Sequence, residues 1–391
     1  MKLTHGGHSP ARRTNVSRTV KRGSALGVLA LTALLVTGCS PEEAVRFGWP
    51  AGITPESQDI LHLWQWACIA ALTIGILVWG LIFWTITFHR RRGNKNMTAG
   101  VTEEDEFPRQ TGYNVPLELL YTAVPFVLIA VLFYFTVMVQ NKVQETKDPA
   151  VIVDVTAFQW NWKFGYNQVK TADGTELISA SDATKGGPFE LQIPEYYDHE
   201  GHRKALPGPA GGRDQQIRNY LTFNAVEVTG TSAEIPILLV PTGSRIEFNL
   251  ASADVAHSFW VPEFLYKKDV FPFPEQNHQN PRFQVSEISE PGAYVGRCAE
   301  MCGTYHAMMN FELRAVEPAV FNEYIKWRKA NPEATNAEAL QAVCQEPQSV
   351  VTAPFNSRRV STTDVPDSLG DASNTSTIGK GCRPAEGVTI S

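Results

Sequence analysis

The densest group of chemically active side chains lies in residues 298–309, which read Cys-Ala-Glu-Met-Cys-Gly-Thr-Tyr-His-Ala-Met-Met. Cys298, Cys302, His306 and Met309 offer two thiolates, an imidazole and a thioether, and His257 lies upstream in a separate segment. Soft sulfur and nitrogen donors of this kind favour copper over magnesium or calcium. The residue types therefore predict a metal centre in which copper is the favoured ion.

Two other interpretations of the Cys-x3-Cys-x3-His spacing remain open at this point. The spacing could place the residues on one face of a helix, but Gly296, Gly303 and the Pro291-Gly292 pair favour a loop between two strands. A structural zinc site completed by His257 is the stronger alternative. Met309 argues against zinc, which does not recruit thioethers, and an exported cysteine pair without a metal would tend to oxidise.

The segments around this cluster predict an all-β domain over residues 150–318. Short runs rich in β-branched and aromatic residues alternate with Gly, Pro and Asn, which indicates a β-sandwich or barrel. The predicted strands are 151–156, 235–239, 245–250, 283–288 and 310–316. A polar insertion at 167–231 is expected to decorate the surface. A short amphipathic helix is predicted over 319–329, and the rest of the segment 319–391 is predicted to be an extended or disordered tail.

Two hydrophobic runs, 61–88 and 117–139, precede the β domain. Each exceeds the roughly 20 residues that a helix needs to cross a bilayer. The first run carries tryptophans near its ends, as membrane interfaces favour: Trp64, Trp66 and Trp84. The connection at 89–116 contains a basic cluster: Arg90, Arg91, Arg92 and Lys95. The positive-inside rule places this loop in the cytoplasm, so the pattern predicts a transmembrane α-helical hairpin followed by an exported domain.

The N-terminus has the pattern of a secretory lipoprotein signal peptide at residues 1–38. A basic stretch precedes an apolar run at 25–36, which is shorter than a membrane span. Small residues directly before Cys39 resemble a bacterial lipobox, which predicts a lipidated Cys39. The alternative is a span that ends at an ordinary cysteine. Residues 39–60 would form an exported segment, in agreement with the orientation predicted from the loop charges.

The bulk composition excludes other classes of protein. The formal net charge is -6, whereas nucleic-acid-binding domains are strongly basic. The sequence shows no glycine-rich phosphate-binding loop. Its six cysteines are too few for a disulfide scaffold and fall in separate neighbourhoods. We therefore expect a membrane partner and no nucleic-acid partner.

Six residues resemble the binuclear copper site, CuA, of the cytochrome c oxidase subunit 2 family: His257, Cys298, Glu300, Cys302, His306 and Met309. The resemblance covers 61–318 apart from the insertion, and it includes the helical hairpin and the aromatic segment Gln-Trp-Asn-Trp at 159–162. It implies a cupredoxin-like barrel domain. It also implies that the two cysteines bridge two copper ions, that His257 and Met309 complete one ion, and that His306 and the Glu300 carbonyl complete the other.

The same resemblance implies the function of the chain. The copper centre would accept electrons from a c-type cytochrome and pass them to a haem-bearing subunit 1, where oxygen is reduced to water with proton translocation. The intact ligand set excludes a quinol oxidase subunit. The chain also has no room for the propeller domain of a nitrous oxide reductase. A zinc-stabilised surface lipoprotein stays open as an alternative that metal analysis would decide.

Four further residues acquire roles from this resemblance. Trp160 would receive electrons from the donor, although two tryptophans on one strand face, Trp160 and Trp162, are also ordinary core residues. Asp254 would belong to an acidic surface that docks the donor, although an exposed Asp is usually only solvated. Glu300 would offer its carboxylate to a magnesium ion shared with subunit 1. Glu118 would lie at the mouth of a proton path or simply reach water at the membrane surface.

The chain departs from the common family pattern in its insertion, in extra residues at 271–280 and in its long tail. Together with the lipobox, these departures resemble the subunits of high-GC Gram-positive bacteria. That resemblance implies a donor haem domain tethered to a bc1 complex within a supercomplex. Cys344 and Cys382 remain after Cys39, the membrane residue Cys68 and the copper cysteines are assigned. Elimination therefore predicts an exported disulfide between them.

Overall fold

The computed structural model describes residues 40–89, 112–185, 196–197, 203–204, 221–274, 276–354 and 382–389. The chain divides into two compact units, Met1–Trp49 and Pro50–Ser391. The described part of the first unit holds a short helix, α1 (Pro41–Val45), that begins with a capping box between Ser40 and Glu43. The predicted signal peptide, Cys39 and the basic cluster at 90–95 lie outside the described residues.

Two long apolar helices follow, α2 (Pro55–Phe88) and α3 (Val115–Val143). Both are long and apolar enough to cross a membrane, with mean hydropathies of 2.3 and 2.4. They begin earlier than the predicted 61 and 117 because polar caps, Thr54 and Asn114, start each helix before its apolar run. Lys142 near the end of α3 pairs with Asp59 near the start of α2 at 2.9 Å. The two helices are therefore antiparallel.

The strands are short and follow α3 in chain order. They are β1 (Val151–Phe158), β2 (Asn161–Lys170), β3 (Glu176–Ile178), β4 (Thr184–Lys185), β5 (Tyr196–Tyr197), β6 (Arg203–Lys204), β7 (Thr222–Phe223), β8 (Glu227–Thr229), β9 (Ile237–Pro241), β10 (Ile246–Ser252), β11 (His257–Val261), β12 (Tyr266–Val270), β13 (Arg282–Val285), β14 (Gly292–Cys298) and β15 (Asn310–Val316). The predicted strand at 310–316 has the predicted bounds. The other four predicted strands are shifted by up to three residues at an end.

Eleven of these strands form two sheets that enclose one core, and the described residues also hold two two-stranded sheets, β4-β7 and β5-β6. The first has the order β13-β10-β1-β2-β3 with β8 also paired to β2, and the second has the order β12-β11-β14-β15-β9. The β1–β10 and β9–β15 pairs are parallel, and the remaining pairs of these two sheets are antiparallel. Large side chains from both sheets fill the space between them: Trp162, Phe164, Tyr166, Phe248, Phe259 and Phe311. The predicted fold, a helical hairpin followed by an all-β cupredoxin-like domain, is confirmed.

The insertion at 167–231 contributes to the core, so its prediction as surface decoration was wrong at both ends. β2 extends through Lys170, and β3 and β8 pair with it. Val169, Ile178 and Val226 are fully buried in the main cluster. The polar composition of the insertion did not indicate these buried strands, because a few apolar residues at the ends of a polar segment suffice to complete a sheet.

The C-terminal region is also more ordered than predicted. The predicted helix is α4 (Pro318–Ala330), and a second helix, α5 (Asn336–Ala342), follows it. The segment 345–354, which we call the C-terminal strap, then lies along β15. Arg314 donates to the carbonyls of Glu346 and Gln348, and Glu312 accepts from the Val350 N–H. A disulfide joins Cys344 to Cys382, with their Cα atoms 5.4 Å apart.

Candidate metal centre

Three adjacent strands bring the predicted ligands to one end of the second sheet. β11 begins at His257, β14 ends at Cys298, and β15 begins directly after Met309. Pairing of Phe259 with Cys298 sets the register between β11 and β14. The Cys298 N–H donates to the Met309 carbonyl at 3.1 Å and closes the loop at its base. The loop between two strands is therefore confirmed, and the helical interpretation of the spacing is wrong.

The donor atoms of the loop lie close together. The two sulfur atoms of Cys298 and Cys302 are 3.7 Å apart. Cys298 Sγ lies 3.7 Å from His257 Nδ1 and 3.2 Å from the Glu300 carbonyl oxygen. Cys302 Sγ lies 3.5 Å from His306 Nδ1 and 3.8 Å from Met309 Sδ. Each cysteine therefore has two different donors next to its sulfur.

The centre is largely shielded from water. His257 and Met309 are fully buried, Cys298 and Cys302 are nearly so, and His306 is half-buried. Burial alone would raise the pKa of Cys298, but hydrogen bonds from His257 and from backbone groups lower it to about 7. Burial and the neighbouring Cys298 raise the pKa of Cys302 to about 12. Cys298 therefore loses its thiol proton more readily than Cys302, and a cation between the two sulfur atoms would favour loss of the second proton.

Asp254 fixes the orientation of the His257 ring. Its Oδ1 accepts from His257 Nε2 at 2.8 Å, which leaves Nδ1 facing Cys298. Asp254 also accepts from the N–H groups of Gln159 at 2.6 Å and Val255 at 2.7 Å. Burial would raise the pKa of Asp254, but these hydrogen bonds lower it below its usual value. The contacts suit a residue that orients a ligand, and the predicted role of Asp254 in donor docking stays a prediction.

Trp160 lies beside the loop, but not on the strand face that its spacing from Trp162 predicted. β1 ends at Phe158 and β2 begins at Asn161, so Trp160 sits in the turn between them. Its Nε1 donates to the Cys302 carbonyl at 3.0 Å, and its ring meets Tyr305 edge-on. Trp162 instead lies in the core. The two tryptophans separate because the chain reverses between them.

Gln159 is a contact of the centre that sequence reasoning missed. Its Nε2 donates to the Cys302 carbonyl at 2.7 Å. The only signal in the sequence was its position directly before Trp160.

Of the other two predicted site residues, Glu300 lies at the cluster and Glu118 does not. Glu300 turns its carbonyl oxygen toward Cys298, while the residue is exposed. Glu118 lies in the first turn of the membrane helix α3 and is not brought to the cluster. Its proposed role concerns a different part of the molecule.

The residues present fit a soft metal ion. The ligand atoms of His257, Cys298 and Cys302 lie within 4.8 Å of one another, and all three residues are buried. His306 Nδ1 and Met309 Sδ extend the set with a second imidazole and a thioether. Thiolate, imidazole and thioether donors together suit copper, whereas magnesium and calcium prefer oxygen. The fold and this cluster define a protein with a hairpin of two apolar helices and a β-sandwich domain. One end of the sandwich carries a site of soft donors for a metal.

Comparison with known proteins identifies the family. Residues 224–316 match the model of the cytochrome C oxidase subunit II periplasmic domain. A probable cytochrome c oxidase subunit 2 from Nocardia farcinica is 52% identical over 352 residues, covering 89% of this chain and 91% of that protein. Cytochrome c oxidase subunit 2 of Mycobacterium tuberculosis (strain H37Rv) is 50% identical over 355 residues, covering 90% and 92%. The chain belongs to the cytochrome c oxidase subunit 2 family.

Membership makes the chain a component of an oxidoreductase complex, and the other oxidase subunits are its partners. The two apolar helices and the periplasmic-type domain indicate a membrane-anchored protein with its β domain outside the cytoplasm. Among solved structures, the periplasmic domain of subunit II of cytochrome oxidase from Bradyrhizobium japonicum is similar. The match covers 48% of this chain and 98% of that chain, with 20% sequence identity and a TM-score of 0.27.

Proposed function

We propose that this cluster binds two copper ions and carries electrons from a c-type cytochrome to the haem-bearing subunit of the oxidase. One observation carries the proposal. Each cysteine sulfur has two further donor atoms beside it. Cys298 has His257 Nδ1 and the Glu300 carbonyl oxygen, and Cys302 has Met309 Sδ and His306 Nδ1. A bridging thiolate needs this arrangement.

The resemblance to the family implies how the ligands are divided between the two ions, and these neighbours are compatible with it. His257 and Met309 would complete one copper ion, and His306 with the Glu300 carbonyl would complete the other. A pair of bridged copper ions would supply a one-electron centre in which the electron is shared over both metals. A single zinc ion would use two thiolates and two imidazoles, but it would leave the buried Met309 sulfur beside Cys302 without a role.

Rigidity of the protein around the centre supports electron transfer over chemical transformation. His257, Cys298 and Met309 lie at the ends of three paired strands, and Asp254 fixes the ring of His257. The burial of Cys302 and Met309 leaves little room for a substrate at the centre. Fixed ligands move little when the charge of the centre changes, which favours fast transfer.

Electrons would arrive through Trp160. Its indole is half-buried, lies in the turn between β1 and β2, and donates to the carbonyl of Cys302. A conjugated ring that bonds directly to the backbone of a ligand is suited to link the centre to a donor outside. We further propose that the donor is the tethered haem domain of a bc1 complex in a supercomplex, as the lipobox and the long insertion favour.

Three further roles complete the proposed function. The exposed Glu300 would offer its carboxylate to a magnesium ion shared with subunit 1 while its carbonyl faces the copper centre. Glu118, in the first turn of α3, would lie at the start of a proton path into subunit 1. A signal peptide at 1–38 and lipidation of Cys39 would add a lipid anchor, with the connection at 89–116 in the cytoplasm.

Metal analysis combined with electron paramagnetic resonance of the purified oxidase complex tests the proposal. The expected result is two copper ions in this subunit and a hyperfine pattern from one electron shared over two copper nuclei. A single-copper pattern, or stoichiometric zinc, would show that the two-copper function is wrong.

A further inference from the structure

Gln159 lies in the turn between β1 and β2. It hydrogen-bonds to the backbone of one ligand of the metal cluster and to a residue that supports another. Its backbone N–H donates to Asp254 Oδ2 at 2.6 Å, and its side-chain Nε2 donates to the Cys302 carbonyl at 2.7 Å. Asp254 in turn holds the His257 ring through a 2.8 Å contact. One residue is therefore bonded to the support of one ligand and to the backbone of another.

We propose that Gln159 is a positioning residue that tunes the reduction potential of the metal centre through the Cys302 carbonyl. The inference rests on the proposed copper function and adds a residue to it. Gln159 bonds to the carbonyl oxygen of Cys302 and not to its sulfur, so its effect passes through the ligand. Hydrogen bonds around the ligands of a metal site change its reduction potential.

The electrostatic effect of Gln159 has a defined sign. The Cys302 carbonyl oxygen accepts two N–H groups, from Gln159 Nε2 at 2.7 Å and from Trp160 Nε1 at 3.0 Å. Each places the positive end of a dipole beside the peptide group that follows the Cys302 thiolate. Positive dipole ends stabilise the reduced centre, which carries more negative charge, and thereby raise the potential. Removal of the Gln159 donor should therefore lower the potential.

The Gln159 amide lies against the loop backbone, although the residue as a whole is exposed. Gly303 follows Cys302 with a φ of +113°, and a Cβ at this position would lie 3.1 Å from Gln159 Nε2 and 3.2 Å from Trp160 Nε1. The absence of a side chain at Gly303 lets both N–H groups approach the same carbonyl. The amide of Gln159 thus occupies a position that the loop backbone is shaped to receive.

The test compares Gln159→Leu with Gln168→Leu in the purified oxidase complex. Leucine removes the amide and leaves an apolar side chain that is one atom shorter. Gln168, in the strand β2 that follows this turn, is the matched control because its Nε2 also donates to a backbone carbonyl, that of Pro149 at 3.0 Å. The measurements are copper content, the paramagnetic resonance spectrum and the midpoint potential of the copper centre from its near-infrared band.

We expect Gln159→Leu to keep its copper and its two-copper spectrum while its potential falls. At a fixed donor potential, the ratio of reduced to oxidised centre should decrease by up to about fivefold, the value reached if one ordinary hydrogen bond stabilised only the reduced centre. For a one-electron couple at 59 mV per tenfold change, this corresponds to about 40 mV. Gln168→Leu should keep the potential of the unsubstituted complex. A residue that only supports the fold would change copper content or assembly without this shift.

Equal potentials in Gln159→Leu, Gln168→Leu and the unsubstituted complex would overturn the proposal and leave the two-copper function intact. If Gln159→Leu fails to retain copper, Gln159→Glu decides the question, because its carboxylate has the same length and puts negative charge beside the carbonyl. Its potential must then be lower than that of the unsubstituted complex, and an unchanged potential overturns the proposal. Absence of a two-copper spectrum from the unsubstituted complex would instead refute the proposed function.

Discussion

The substitution Gly303→Ala tests whether the loop geometry around Cys302 holds the metal. Gly303 has a φ of +113°, a backbone conformation that residues with a side chain rarely adopt. The added methyl group would also meet Gln159 Nε2 at 3.1 Å and Trp160 Nε1 at 3.2 Å. Gly174→Ala is the matched control, since Gly174 has a φ of +85° in the β2–β3 turn with open space around it. The control carries the backbone strain without the crowding.

The expected cost follows from these two features. A strained φ costs about 1–3 kcal/mol at either glycine. At Gly303 the two N–H donors of the Cys302 carbonyl must also shift by a few tenths of an ångström, and breaking both hydrogen bonds would add about 1 kcal/mol for each. The difference between the two variants is therefore about 2 kcal/mol. At 1.4 kcal/mol per tenfold change, it corresponds to about 30-fold weaker retention of copper.

The assay is copper retained per oxidase complex after equilibration with a graded series of chelator concentrations. The amplitude of the two-copper resonance spectrum is followed in parallel. We expect Gly174→Ala to lose copper at the same chelator concentration as the unsubstituted complex, and Gly303→Ala to lose it at a concentration about 30-fold lower. If the two variants release copper together, the contacts of the Cys302 carbonyl do not hold the loop and the reasoning is refuted.

Four further substitutions or measurements probe the remaining assignments. Met309→Leu should retain both copper ions and raise their potential, because a weak thioether donor to the oxidised metal is lost; complete loss of metal would show that Met309 is essential for binding. Trp160→Phe should preserve the copper spectrum and slow oxidation of the donor in stopped-flow measurements, and an unchanged rate would make Trp160 a packing residue. Glu118→Ala should slow turnover of the complex with copper and donor affinity unchanged; unaltered turnover would contradict a role in proton uptake. Peptide mapping without reduction should recover Cys344 cross-linked to Cys382, whereas two alkylated thiols from native membranes would refute the bridge.

The donor types of the metal site could be predicted from sequence because chemistry resides in residue identity and loop spacing. Cys298, Cys302, His306 and Met309 fall within one short loop, so any fold that forms the loop brings them together. Flanking glycines and β-rich runs correctly favoured strands on both sides. His257 was also a candidate from its residue type, but its approach to the loop could not be predicted from spacing because it depends on the register between β11 and β14.

The contacts around the ligands could not be predicted because they depend on where the chain turns. A period-two pattern placed Trp160 and Trp162 on one face, but the turn after Phe158 sends the first to the loop and the second into the core. Asp254 was predicted as a surface acid, since sequence alone does not show that its carboxylate is directed at His257. Side-chain direction in a loop is set by tertiary contacts that leave no local pattern.

The C-terminal strap explains why a strand face made of polar residues is buried. Asn310, Glu312 and Arg314 alternate along β15, and such alternation usually indicates a solvent face. All three are buried instead, because the strap covers that face and supplies backbone partners for Glu312 and Arg314. Glu312 and Arg314 also form an ion pair with an N–O distance of 2.6 Å, and a buried ion pair is stable only when its remaining hydrogen-bonding groups are satisfied. The pair therefore requires the strap. Since β15 starts directly after Met309, the strap also supports the strand from which the metal loop emerges.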